Sequence, residues 1–501
     1  MLIFLALSVC GSEAVPLPNT IPSILPRSNS SITIVTQGWT PSGVGRGTID
    51  IVWTCLITIF LCSWSLICLQ VPSEKDTPPS VLWRRAWLTC LCGLGPEFMF
   101  QLALGQWISA RQSVKDFHEA GFPKWTIKHA FYADSGGFKL HTADNFTIPV
   151  DAKQVLYLIE HDYINCPTTT VEEIDDKNKV DMILRFLSSA QTLWFCVVVI
   201  ARAAQNLVIT GMELTTAAFI LCSFATSFCW RNKGADVTLS VQLETKYTMI
   251  QIVKDAGKAA DGPYHRTPLD FISREEWHWS LYWTHWINIL RIMHIKFAPQ
   301  TLPHDRFENT IWRNLKSKVA LGAFAAMCFA YTAIFLASWN AYFPTYAELI
   351  IWRISSLSLI ATVALYFIIT GFAFGLYPAI HRFFHPHDTQ APALDEKSPK
   401  SLSLNTELEP EVPAGLSVPA PVFIERRSKL STIAAGIRNN SVVKDPLLYV
   451  PLKATLPMYV VGFLYCSSRT LILILDIIQL RKLPVSAFDT VTWSSFIPHF
   501  S

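Results

Sequence analysis

Charge is what this sequence has least of. Only 16% of its 501 residues are Asp, Glu, Lys or Arg, and the net charge is +3. Soluble chains carry about 25%, so a chain this poor in charge does not read as the two or three soluble domains its length suggests. No basic run is long enough for a nucleic-acid partner. The nucleotide and hydrolase fingerprints are missing as well: there is no Walker A loop, G-x-S-x-G, H-E-x-x-H or Rossmann glycine pattern. Neither C-x-x-C nor a Cys/His spacing points to a metal, and no cofactor is expected. Ten of the twelve cysteines lie in apolar runs, where they serve as small hydrophobes rather than as a disulfide framework.

What is present is hydrophobic length. Half of the residues are hydrophobic and the mean hydropathy is +0.31. Seven apolar runs, at about 51–71, 86–106, 187–201, 207–230, 319–347, 354–380 and 454–480, approach or exceed the roughly 20 residues a bilayer-crossing helix needs. Backbone groups have no partner in hydrocarbon, so such runs are helices. The expectation is an all-α polytopic membrane protein with about seven transmembrane helices. Residues 1–14 read as a signal peptide and 15–45 as a flexible lumenal or extracellular lead-in. A membrane domain over 46–384 carries ordered loops at 107–186 and 231–318. Residues 385–450, rich in Pro, Ser and Ala, read as a disordered linker, and 451–501 hold the last span and a C-terminal tail. A cleaved signal and seven spans put the N-terminus outside and the C-terminus in the cytosol. The sequons at Asn29, Asn145 and Asn439 then all face outward as glycosylation sites. Arg231, Lys233, Arg313, Lys316 and Lys318, flanking a loop placed outside, run against the positive-inside rule.

Few residues in the runs can carry chemistry. Glu97 lies near the middle of the second run, in G-L-G-P-E-F-M-F-Q, where a carboxylate costs several kcal/mol and must face the protein interior. Pro96 removes one backbone hydrogen bond and frees a carbonyl nearby. Gln101, one turn on, shares the face of Glu97 and is the expected orienting partner. A polar clamp between helices explains the pair equally well. Glu213, early in the fourth run, and Asp476, seven residues after Arg469 in the last, are the reserve acids; helix-packing ion pairs are their plainer explanation. Asp50 reads as a helix cap. The segment W-H-W-S-L-Y-W-T-H-W, residues 277–286, suits an interfacial helix, or alternatively Trp277, Trp279, Trp283 and Trp286 line a cavity and stabilise a cation. The acidic run E-E-I-D-D-K-N-K-V-D at 172–181 lacks the spacing of a magnesium-diphosphate motif and reads as a solvated helix start.

Several phrases, among them R-G-T-I-D-I-V-W at 46–53, Q-W-I-S-A-R at 106–111, H-A-F-Y-A-D-S-G-G-F at 129–138, T-P-L-D-F-I at 267–272 and L-R-K-L-P at 480–484, resemble a family of fungal multi-spanning integral membrane proteins. Through that family the chain resembles the membrane-bound terpene cyclase of macrophorin-type meroterpenoid pathways. The resemblance implies an enzyme of secondary metabolism in the endoplasmic reticulum membrane. Such an enzyme protonates the terminal olefin of a prenylated lipophilic small molecule and closes drimane-type rings. No catalytic residue comes with the resemblance; Glu97 as the acid rests on its own position. A proton-coupled transporter is the alternative, with Glu97, Glu213 and Asp476 as relay groups. A receptor and a purely structural membrane protein are further readings.

Overall fold

The structure is a computed structural model that describes residues 36–42, 45–176, 182–260, 264–275, 278–294, 300, 302–315, 317–372, 435–437, 439–440 and 452–493. The expected signal peptide, most of the lead-in and most of the 385–450 linker lie outside these residues. So do Trp277 and Asn29.

The fold is mostly helical, 64% helix and 5% strand. Its longer helices are α1 (Thr48–Leu66), α2 (Pro78–Leu94), α3 (Pro96–Glu119), α4 (Ile127–Asp134), α5 (Ala152–Glu160), α6 (Met182–Ala204), α7 (Gly211–Trp230), α8 (His278–Ile292), α9 (Lys318–Ala337), α10 (Tyr346–Gly371) and α11 (Leu452–Gln479). Among the described residues six are long and apolar enough to cross a membrane: α1, α7, α9, α10 and the stretches Phe186–Ala204 of α6 and Leu456–Gln479 of α11. The run expected at 86–106 is instead a bent pair, α2 and α3, which meet at 113°.

Local chemistry explains these elements. At the start of α1 the Asp50 carboxylate accepts from the Gly47 N–H at 2.8 Å, the cap its sequence position suggests. Along α1 the hydroxyls of Thr54, Thr58 and Ser63 donate to carbonyls four residues back at 2.6–2.7 Å, so an apolar helix carries them without an unmet donor. Between α2 and α3, Gly95 leaves the helical region at φ −146°, ψ 76°, and Pro96, with no N–H to give, starts α3 at its preferred first position. The sequence reading of one lost hydrogen bond understated this: glycine and proline together end one helix and begin another.

The chain forms two compact units, one of residues 1–249, 305–365 and 461–501 and one of 250–304 and 366–460. In the first, α7 packs against α1, α3 and α9. A three-stranded sheet caps one end: β2 (Phe138–His141) pairs antiparallel with β3 (Thr147–Val150) and parallel with β4 (Val241–Glu244). The two loops expected to be ordered therefore share one sheet. The segment between α1 and α2 also reaches this end, where the Val71 N–H donates to the Ser135 carbonyl at 2.9 Å and Gln70 to Asn309 at 2.8 Å. So α2 begins and α3 finishes at the sheet end. At the opposite end β1 (Thr36–Gln37) pairs antiparallel with β5 (Leu483–Pro484), bringing the two end segments of the chain together. The bent pair leaves six helices of membrane-crossing length and apolarity among the described residues, or seven if the pair counts as one span.

In the second unit α8 packs Leu281 and Tyr282 against Met458, with Tyr366 and Ile369 alongside. Trp279 meets Tyr366 edge-on at 5.4 Å, and Trp286 meets Tyr459 at 5.5 Å. His285 shares a 2.8 Å hydrogen bond with the Tyr459 hydroxyl. Part of the aromatic segment is thus spent on packing within its own unit.

Candidate functional site

Two clusters of buried charge lie inside the first unit. The first surrounds Glu213. Its position three residues into α7 makes a capping box with Thr210, whose N–H and hydroxyl both donate to Oε2, at 2.9 and 3.0 Å. Oε1 is paired with Arg46 and lies 3.9 Å from Arg202. Arg202 in turn donates to the carbonyls of Val208, Ser486, Ala487 and Asp489. One carboxylate and two arginines therefore tie the segment before α1, the α6–α7 turn and the C-terminal segment into a single joint. Both oxygens of Glu213 are in use.

The second cluster begins at the helix break. Glu97 is the second residue of α3 and 2% exposed; Gln101, on the same face, is 1% exposed. Among the described residues no other residue hydrogen-bonds to either oxygen of Glu97, whose carboxyl meets only its own backbone N–H, and neither polar atom of Gln101 has a partner, so the expected orienting bond between them is not formed. Buried polar groups are normally satisfied, which makes two such neighbours unusual. The charge nearest to Glu97 is Arg469 of α11. Its Nε donates to the Leu94 carbonyl at 3.3 Å, the acceptor that the break leaves over, while its Nη1 has no protein acceptor. The guanidinium lies over the rings of Tyr331 and Phe335, at 5.4 and 5.2 Å from their centres.

Around this pair the walls are apolar with polar tips. Tyr331, Phe335, Phe343, Trp352, Leu359, Ile472 and Leu475 form one core with Leu214, Ala218 and Cys222. The hydroxyls of Tyr331, Tyr465, Ser355 and Ser356 and the indole N–H of Trp352 are buried and likewise unpartnered. Tyr465 reaches the break through Phe98, ring to ring at 5.4 Å. Asp476, two turns along α11 from Arg469, accepts from Thr215 at 2.6 Å through one oxygen and leaves the other unbonded. The buried polar groups around the break are donors from Arg469, Gln101 and two tyrosines and acceptors from Glu97 and Asp476, with aromatic faces beside them.

From the break α3 carries a row four residues apart to the sheet end: Glu97, Gln101, Gly105 and Ser109. A side chain at Gly105 would approach the Arg313 carbonyl oxygen to 2.8 Å, so only glycine lets that backbone come so near. Ser109 donates to Asp134 at 3.1 Å. Arg313 lies 3.6 Å from Asp134 and 3.3 Å from Asp151. Burial pushes the Asp134 carboxyl upward despite the Arg313 charge that opposes it. Beside the row, Lys233 donates to Gln106 at 2.9 Å, and burial lowers its amine to about 8.

The remaining sequence candidates are dispersed. Trp279, Trp283 and Trp286 belong to the second unit, whereas Glu97 belongs to the first. Asn145, in the left-handed region at φ 58°, is exposed at the tip of the β2–β3 hairpin; Asn439 is partly buried. Among the described residues no three His, Cys, Asp or Glu side chains cluster as a metal site, and the eleven described cysteines are free thiols. The aromatic set at Tyr331, Phe335 and Trp352 escaped the sequence reading. Its signal was the four-residue spacing of Tyr331 and Phe335 on one face of α9 together with the isolated Arg469.

A family model described as a family of unknown function (DUF8562) matches residues 21–254, a little under half of the chain. The matched stretch includes Glu97, Gln101 and Glu213 and ends before Arg469 and Asp476. Neither the curated proteins nor the solved structures contain a match.

Proposed function

We propose that this chain is a membrane-embedded enzyme in which Glu97 gives a proton to the terminal olefin of a prenylated lipophilic molecule and so starts ring closure of the drimane type. The observation that carries the reading is the Glu97 carboxyl, 2% exposed at a helix break and, among the described residues, hydrogen-bonded by no other residue. Proton transfer to an alkene needs an acid shielded from water. As the new C–H bond forms, the π-bond breaks and a carbocation is left. Neighbouring double bonds close onto it in turn, and loss of a proton ends the sequence, so the product is an isomer of unchanged mass. Arg469 faces the carboxylate that the transfer leaves behind. Tyr331, Phe335 and Trp352 supply an aromatic surface near the acid.

In this reading the six long helices cross the bilayer and the α2–α3 pair is re-entrant, placing Glu97 at its inner tip. Arg84, Arg85, Arg111, Arg231, Lys233 and Arg313 then lie at the sheet end, which the positive-inside rule makes cytoplasmic. Arg231, Lys233 and Arg313, which opposed the seven-span scheme, now agree with the positive-inside rule. Both end segments face the lumen of the secretory pathway, in keeping with a signal peptide and an endoplasmic reticulum location, and Asn145 faces the cytosol.

A second reading, a proton-coupled carrier, is favoured by the break itself, since discontinuous helices form the binding sites of many carriers. Expression in a host without such pathways, fed a linear farnesylated phenol or epoxycyclohexenone, separates the two. A bicyclic isomer of unchanged mass supports the enzyme. Uptake or efflux of unchanged precursor supports the carrier and sinks the cyclase.

A further inference from the structure

Where α7 ends, apolar surface gives way to positive charge. Phe224 and Phe228 are 52% and 59% exposed on the last turns of α7, and Trp230 closes the helix. Arg231 follows immediately. Its guanidinium lies 4.3 Å from the centre of the Phe228 ring and 6.0 Å from that of Trp107. From α3, the Arg111 guanidinium lies 5.0 Å from the same Trp107 ring, and Trp107 meets Phe228 edge-on at 6.1 Å. Two arginines from two helices thus share one indole. Among the described residues neither arginine has a carboxylate partner; the Arg231 Nη1 donates to the Phe228 carbonyl at 2.9 Å, and the rest of its fork, with that of Arg111, meets no acid. A groove of about 590 Å³ opens beside them, lined by Arg111, Val114, Lys115, His118, Glu119 and Ile127. Its one acid, Glu119, is taken up by Lys115 at 3.6 Å.

We infer that this patch is a binding site for the phosphate headgroup of an anionic phospholipid, with Arg111 and Arg231 as the phosphate ligands and Trp107 as the platform that orients them. Planar guanidinium groups match phosphate oxygens two at a time, and stacking on an indole lowers the cost of holding them in place. The exposed phenylalanines continue the site into the acyl region. A free phosphate would have no use for them. The cytoplasmic leaflet, where the proposed topology puts the patch, is the one rich in anionic lipid. The inference rests on the membrane embedding proposed above and is independent of the chemistry at Glu97.

The test is native mass spectrometry of the purified full-length chain, exchanged into detergent with equal phosphatidylserine and phosphatidylcholine. Two arginines near an anionic surface imply a preference of about 30-fold for phosphatidylserine. R111Q/R231Q should bring retention to near parity, and R111K/R231K, which keeps the charge without the fork, should fall between. K124Q/K246Q removes two exposed lysines elsewhere and should retain the full preference. Parity in the wild-type chain, an equal loss in K124Q/K246Q, or displacement of the lipid by excess inorganic phosphate would each overturn the site. A chain that stays soluble without detergent would instead overturn the embedding itself.

Discussion

Glu97 and Glu213 are both nearly inaccessible glutamates near the start of a long helix, and each has arginine nearby. At Glu213 every oxygen is met: a capping box takes one, Arg46 and Arg202 the other, and the two Nη groups of Arg202 donate to four carbonyls while its Nε and the Arg46 Nη1 have no hydrogen-bond acceptor. At Glu97, among the described residues, no other residue hydrogen-bonds to either oxygen, and the Nη1 of Arg469 has no acceptor. Burial alone therefore does not mark a functional acid. A buried charge that is fully bonded holds the fold, whereas one left unbonded at an energetic cost is what a reacting or binding partner can use.

The contrast breaks first at the joint. Arg202→Ala strips one partner from a buried pair and leaves four carbonyls without a donor, at a cost of about 3–5 kcal/mol, a large share of a typical folding free energy. Loss of the monodisperse peak in fluorescence-detected size exclusion is the expected outcome. A folded, normally behaved Arg202→Ala chain would show that the Glu213 cluster is not structural.

The converse holds at the break. Glu97→Gln keeps the shape and, among the described residues, removes no hydrogen bond to another residue, so its melting temperature should match wild type to within about 1 kcal/mol of stability. Destabilisation as large as that of Arg202→Ala would make Glu97 a structural clamp.

Lys233, between the two regimes, sharpens the comparison through pH. Its folded value of about 8 lies below the ordinary 10.5, so the unfolded chain binds more protons between the two. Stability should therefore rise from about pH 8 to 10.5 and be lost as pH falls through 8, and Lys233→Met should flatten that slope. An unchanged slope in the variant would assign the effect elsewhere. The smallest effect concerns topology: Asn145→Gln should leave the glycosidase-sensitive mobility of the chain as it is in wild type. A shift lost in that variant would put the sheet in the lumen.

Much of the helical framework was legible because hydrophobic run length survives any tertiary context. The runs at 51–71 and 207–230 became Thr48–Leu66 and Gly211–Trp230. The run at 86–106 misled, because apolar composition is blind to direction and only Gly95–Pro96 hinted that the chain turns back. The sheet was hidden for a different reason: β4 pairs with β2 across about a hundred residues, and four-residue strands leave little periodicity to read. Glu97 could be singled out because a lone charge in an apolar run is conspicuous. Its surroundings could not, since Arg469 lies more than 370 residues away and Tyr331 looks like any other aromatic in a span.

On the proposed function the Glu97 carboxyl at the break performs the chemistry. The most direct measurement is product formation from a linear farnesylated precursor by wild-type and Glu97→Gln chains, compared at equal protein levels. The account predicts a bicyclic isomer of unchanged mass from the wild type and a fall of about 100-fold or more in the variant. Equal product from both would contradict it.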